Sequence, residues 1–241
     1  MTKSYTAIDL ETTGLNPKYE KIIEIGAVKV IDGEIAERFQ TLVNPGKTLS
    51  PQITELTGIT QAELEAAPEI SEVLPGLLAF LGDDVLLGHS IMFDYSFLKK
   101  AAVNEGLWKS DRQALGLDTL KFSRIYLPQL PSRRLSALCE HYHISHQAHR
   151  ALGDAESTVA LYQILEKQFF EEKVFTPFPL IYNIKKESPI TKTQKERLYQ
   201  LLEMHKIVTD YDVEKLTRNE ASRIIDKIYL AYGRSALPKE K

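Results

Sequence analysis

With 241 residues, a formal net charge of -3 and one cysteine, the chain has room for one large domain, or for one of about 170 residues plus a small appendage; one cysteine excludes a disulfide framework. It is 43% hydrophobic and 26% charged, the balance of a soluble globular protein, with no run near the roughly 18 apolar residues of a membrane span, and MTKSYTAIDLETTGL places carboxylates where a secretory signal needs an apolar stretch. No membrane partner and a cytoplasmic location are therefore expected, and the negative charge argues at first against nucleic acid, whose binding usually leaves a basic footprint.

Residues 4–10 (SYTAIDL) form an apolar run ending in acids, then a Thr-Thr-Gly turn, which reads as a strand entering a loop. Residues 21–31 alternate isoleucine and valine with polar residues. Asp32-Gly33 turns the chain into 34–44, a hairpin signal closed by Asn44-Pro45-Gly46. Ser50-Pro51 reads as a helix start, with serine at the N-cap and proline at the first helical position. Residues 72–82 are helical in character despite Pro75, 84–89 (DVLLGH) read as a buried strand, and 93–106 carry a helical apolar stripe that ends at Gly106. Further helices are predicted over 135–141 and 154–170. The succession implies an α/β fold, a mixed sheet with flanking helices.

Pro177, Pro179 and Pro189 then mark a linker, 171–190, between a main domain (1–170) and a small helical C-terminal appendage (191–241) with amphipathic helices at about 191–205 and 218–232. Thr217 and Glu220 form a capping-box pattern at the start of the second. Charge changes at the same place: residues 1–184 hold 17 basic and 24 acidic side chains, residues 185–241 hold 13 and 9.

Asp9 and Glu11 lie two residues apart at the end of the first strand, so both point to one face while Leu10 points to the other. Two adjacent acids repel unless a cation lies between them, and oxygen ligands select a hard cation such as Mg²⁺ or Mn²⁺. Asp94, in GHSIMFDYSFL, lies between a strand and a helix; Asp154, in AHRALGDAEST, opens a helix where a carboxylate could also serve as a cap. Four acids from three segments could converge on two divalent cations, which at a separation of roughly 3.5–4 Å suit in-line displacement at phosphorus. His149 is on the loop entering the helix of Asp154, and an imidazole titrates close enough to neutrality to take a proton from water.

AIDLETTGL, GHSIMFDYSFL and HRALGDA, in that order, resemble the three motifs of the DEDD exonucleases. The spacing of His149 and Asp154 is similar to that of the subtype with a histidine base, the DnaQ-like 3′–5′ exonucleases, which include a proofreading subunit of bacterial DNA polymerase III. Over about residues 3–170 the resemblance implies a ribonuclease H-like mixed sheet. It implies that Asp9, Glu11, Asp94 and Asp154 bind two cations, Mg²⁺ or Mn²⁺, and that His149 is the general base. Thr12, Thr13, Leu15 and His89 would meet the terminal nucleotide, with Leu15 wedged against its base. A Thr-Thr-Gly turn could offer donors to phosphate and sugar. Phe93 could stack on a base, whereas Phe97 fits core packing better. The family often has asparagine where this chain has Ser90, which weakens any expectation about terminal-sugar recognition. Asp118 is expected to act as a helix cap or supporting partner.

The expected function is metal-dependent 3′–5′ removal of nucleoside monophosphates from a single-stranded end, DNA before RNA, in proofreading or repair, with a polymerase or other replication protein as a possible partner. The alternatives are an RNA-directed 3′ exonuclease and a non-catalytic polymerase-associated subunit. Cys139, His141, His143, His146 and His149 suggest a zinc site, but their spacing is not that of structural zinc and Cys139 falls on an apolar helical face. Arg133, Arg134 and Arg150 are expected to offer donors for phosphate at the site entrance.

Overall fold

A computed structural model describes residues 3–146 and 148–233. Strands β1 (Tyr5–Thr12), β2 (Ile22–Ile31) and β3 (Glu34–Leu42) form an antiparallel meander. The β2–β3 turn is made by Asp32 and Gly33, both at positive φ, as the hairpin signal requires. After α1 (Pro51–Thr57), α2 (Gln61–Glu65) and α3 (Ile70–Leu81), the chain returns as β4 (Leu86–Gly88), parallel to β1. Helix α4 (Ile91–Asn104) leads to β5 (Ala114–Asp118), parallel to β4. Helices α5 (Thr119–Tyr126), α6 (Leu135–Tyr142), α7 (Ala151–Phe169) and the short α8 (Glu172–Phe175) follow. Strand β6 (Phe178–Leu180) then adds antiparallel to β5. The result is a mixed six-stranded sheet in the order β3-β2-β1-β4-β5-β6.

Side-chain alternation along β1 supplies two cores. Ile8 and Leu10 pack with α3 and α4, through Leu74, Leu77, Tyr95 and Leu98. Tyr5 and Ala7 point the other way, against Phe122 of α5 and Val159, Tyr162 and Leu165 of α7. Asp9 and Glu11 continue the Tyr5–Ala7 face, so they emerge under the start of α7.

Residues 171–180 are not a linker. Phe175 and Leu180 are buried, and Pro179 is accommodated because β6 is an edge strand, where a missing N–H leaves no central ladder bond unmade. By compactness, the described residues of 3–45 and 49–185 form one unit, and those of 46–48 and 186–233 form another.

In the second unit, α9 (Lys192–His205) and α10 (Arg218–Tyr232) share a core of Leu198, Leu201, Val213, Ala221 and Ile228. Both helices open with capping boxes, Thr191 with Gln194 and Thr217 with Glu220. Residues 186–233 carry nine basic and eight acidic side chains, so three of the tail's four excess positive charges lie at Lys185 and within 234–241, the latter outside the described residues. No described helix is long and apolar enough to cross a membrane.

Candidate active site

Three structural devices bring the acids together. The first is β1, whose pleat sets Asp9 and Glu11 on one face; in register across from them on β2 are Gly26 and Glu24. The second is α4. Strand β4 pairs with β1 only at Thr6 and Ala7, so the backbone of β1 beyond them is unpaired on that side, and Leu10 donates its N–H to Asp94 Oδ1 at 3.0 Å. Asp94 is thereby fixed in the first turn of α4, just after Ser90 at φ 79, whose N–H goes to Asp118 Oδ1 at 3.0 Å. Asp118 also caps α5 through Leu120 N and Lys121 N, the supporting role expected of it.

The third device is the first turn of α7. Asp154 Oδ2 accepts the N–H of His149 at 3.0 Å, which closes the loop into the helix and holds His149 at φ 62. Asp154 Oδ1 is buried and has no hydrogen-bond partner among the described residues. His146 Nδ1 lies 3.4 Å from it without hydrogen-bond geometry and is bonded to Ser157 Oγ at 3.0 Å. Glu11, His149 and Asp154 each offer a ligand atom, all within 4.8 Å of one another.

Electrostatics mark the same spot. Burial, then the charges of Asp94, Asp154, Glu11 and Glu24, raise Asp9 well above the usual carboxylate range. Burial raises Asp94 as well. Glu11 is pushed up to about 7, by burial first and then by Asp154 and Glu24. Asp154 is pushed up to about 6, chiefly by burial, with the His149 N–H opposing. Arg150 is the cation beside them, and it is taken by Glu24 through Nη2 at 2.9 Å and Nε at 3.2 Å. Crowded carboxylates, one of them with an orphaned buried oxygen, fit a hard divalent cation.

This crowding sets a pH dependence. Glu11 and Asp154 sit above their ordinary values of 4.5 and 3.8, so the folded chain keeps protons that the unfolded chain has already lost. Their contribution to stability is complete below those ordinary values and is lost as pH rises through the shifted ones. With chelator present, Tm is expected to fall between pH 5 and pH 8, less steeply in Glu11→Gln, and Mg²⁺ at pH 8 should restore it. Thermal melts check this; equal slopes for both proteins, or no response to Mg²⁺, would contradict it.

The expected substrate contacts divide. Leu15 is 86% exposed at the tip of the loop after β1. Phe93 is half-buried against Phe97, with ring centroids 5.0 Å apart. The hydroxyls of Thr12 and Thr13 are spent inside the loop, Thr12 Oγ1 on Gly14 O at 2.8 Å and Thr13 Oγ1 on Glu20 Oε2 at 2.5 Å. They shape the turn and are not free for phosphate. His89 has both ring nitrogens engaged, with Thr119 Oγ1 at 2.8 Å and Arg133 O at 2.9 Å, and burial lowers its pKa. It ties the end of β4 to α5 and to the loop before α6. Arg133 is committed to the carbonyls of Leu127 and Pro128, and Arg150 to Glu24, so neither is the free phosphate donor expected of it. Cys139 is buried in α6 and His143 ends that helix in a left-handed conformation. Among the described residues the possible metal cluster is Glu11, His149 and Asp154, not the cysteine–histidine run.

Glu24 is the residue that sequence reasoning missed. An acid within a strand otherwise buried on both faces needs a cationic or N–H partner, and IIEIGAVKVI carries that signal.

The model of the exonuclease family matches residues 6–162. This chain belongs to the exonuclease family. The PolC-type DNA polymerase III of Halalkalibacterium halodurans is 34% identical over 97% of this chain and 17% of that protein. That of Clostridium perfringens is 40% identical over 70% of the chain and 12% of the protein. The chain thus spans less than a fifth of the length of these relatives. Among solved structures, exonuclease X in complex with 5′-overhanging duplex DNA is 27% identical, with a TM-score of 0.56, over 71% of this chain and 96% of that one. E. coli exonuclease I in complex with a dT13 oligonucleotide has a TM-score of 0.60 at 19% identity, over 69% and 41%, a likeness of fold. The mixed sheet with flanking helices of this exonuclease-family member is therefore the ribonuclease H-like fold that the motifs imply.

Proposed function

We propose that this chain is a divalent-cation-dependent 3′–5′ exonuclease that releases nucleoside monophosphates from single-stranded DNA ends, in the cytoplasm, in proofreading or repair alongside a DNA polymerase. The observation that carries the reading is the convergence of Glu11, Asp154 and His149 within 4.8 Å beside Asp9 and Asp94, in a chain of the exonuclease family.

Asp9, Glu11, Asp94 and Asp154 would hold two cations, Mg²⁺ or Mn²⁺. When bound, these would supply Lewis-acid stabilisation of charge on the phosphate and its leaving oxygen and would ease deprotonation of water. Asp154 Oδ1, buried and without a hydrogen bond among the described residues, supports this role. A ring nitrogen of His149, at the exposed rim of the cluster, takes the proton of the attacking water and can pass it to solvent. Leu15, standing out of the loop after β1, wedges against the terminal base, and Phe93 offers a second apolar edge. The likeness to DNA polymerases and to an exonuclease bound to DNA favours DNA as the polymer.

The test uses 5′-labelled single-stranded DNA and RNA of one sequence with Mg²⁺. A ladder shortening from the 3′ end, faster on DNA, is expected. Shortening from the 5′ end would overturn the polarity, and faster loss of RNA would overturn the choice of polymer.

A further inference from the structure

The start of α7 carries both His149 and Asp154, yet it is bonded to the sheet chiefly through one residue outside the four-acid cluster. Glu24 is fully buried on β2. Its carboxylate accepts from Arg150 Nη2 at 2.9 Å and Nε at 3.2 Å, from the backbone N–H of Ala151 at 3.1 Å, and from Gln40 Nε2 at 3.0 Å. Arg150 is the N-cap of α7 and Ala151 its first residue, so the helix is gripped where its N–H groups are unpaired and its dipole favours an anion.

Two residues along the same face of β2, Gly26 lets the helix come down onto the sheet. A Cβ built there would stand 2.2 Å from the carbonyl carbon of Ala151 and 2.2 Å from Leu152 N. In register, Glu24 is opposite Glu11 and Gly26 is opposite Asp9. The pair of β2 residues that seats α7 thus lies directly across from the pair of β1 acids that α7 must face.

We propose that Glu24 is a positioning residue for the reaction. Through Arg150 and the Ala151 N–H, it sets the first turn of α7 so that Asp154 and His149 stand within ligand distance of Glu11. Gly26 is its steric counterpart. Glu24 touches neither substrate nor cation. Loss of its charge leaves Arg150 unpaired and lets the turn lift, which separates Asp154 from Glu11 without removing any acid of the site. The proposal rests on the reading that Asp154 and His149 act there.

The experiment measures Mn²⁺ affinity by electron paramagnetic resonance, amide exchange of the first turn of α7 in metal-free protein, and single-turnover DNA cleavage. The whole chain is used, below its melting temperature, as wild type, Glu24→Gln, Arg150→Gln, the double variant and Gly26→Ala. Glu24→Gln and Arg150→Gln are each expected to weaken Mn²⁺ binding and to lower kcat about 10–100-fold, the range found for partners that orient metal ligands. The KM for DNA should stay within about threefold, and exchange at Ala151 should become faster. The double variant should lose no more than the larger single loss, because both act through one contact. Gly26→Ala should give the same signature by steric displacement.

A purely structural role would lower Tm while leaving Mn²⁺ affinity and kcat unchanged in the folded variants, and that result would overturn the proposal. If Glu24→Gln does not fold, Arg150→Gln, whose side chain is 39% exposed, decides by the same measurements. A wild-type protein that binds no Mn²⁺ would overturn the site reading and this proposal with it. A wild type that binds, with both variants binding equally, would overturn this proposal alone.

Discussion

Asp9→Asn is expected to remove nuclease activity and, at the same time, to stabilise the metal-free protein. Asp9 is the acid most crowded by the others: its pKa is raised by burial and by the charges of Asp94, Asp154, Glu11 and Glu24. Asparagine keeps its size but not its charge, so it cannot serve as an anionic ligand. Loss of several kcal/mol of charge stabilisation corresponds to about a thousandfold or more in rate. The same change removes a carboxyl whose charged form is disfavoured by burial and by the neighbouring carboxylates. The metal-free Tm should rise by about 2–4 °C for each kcal/mol so relieved in a chain of this size. Cleavage assays and thermal melts in chelator check both halves. Retained activity would remove Asp9 from the site, and a lower Tm would show that its carboxylate is satisfied in the fold by a partner other than a cation. Such opposition between stability and activity is usual where like charges are gathered for chemistry.

His149→Ala should separate proton transfer from metal binding. His149 is exposed and enters the cluster through its ring, while the bond to Asp154 is made by its backbone N–H, which alanine keeps. The acids should therefore bind Mn²⁺ much as before while kcat falls roughly 10²–10⁴-fold, the usual contribution of a positioned general base. Mn²⁺ titration alongside single-turnover cleavage reads both quantities. A large loss of Mn²⁺ affinity would make His149 a ligand, and a loss in kcat below about tenfold would leave it without the role of base.

How far the sequence could be read depends on the range of the interactions involved. The alternation of β1, β2 and β3, the Asp32-Gly33 turn and the apolar stripes of α4, α7, α9 and α10 are local patterns, and the structure follows them to within a few residues. The acids were legible for the same reason: period two puts Asp9 and Glu11 on one face, and Asp94 and Asp154 stand at helix starts. What was not legible is set by partners distant in the chain. Prolines 177 and 179 suggest a linker until β5 supplies the edge on which β6 pairs. The hydroxyls of Thr12 and Thr13 look free until Gly14 O and Glu20 take them, and His89 looks available until Thr119 and Arg133 occupy both nitrogens. Glu24 was visible as an acid in a buried strand, but its partners, Arg150 and Ala151, lie 126 and 127 residues away.

If the four acids and His149 form one cation-dependent nuclease site, cleavage depends on the cation and on Asp9 together. This dependence is tested most directly by incubating the purified chain with 5′-labelled single-stranded DNA across a Mg²⁺ titration, with a chelator control and Asp9→Asn in parallel. The expected result is a ladder from the 3′ end that grows with Mg²⁺, vanishes with chelator and is absent in Asp9→Asn. Cleavage that survives chelation, or equals wild type in Asp9→Asn, would contradict it.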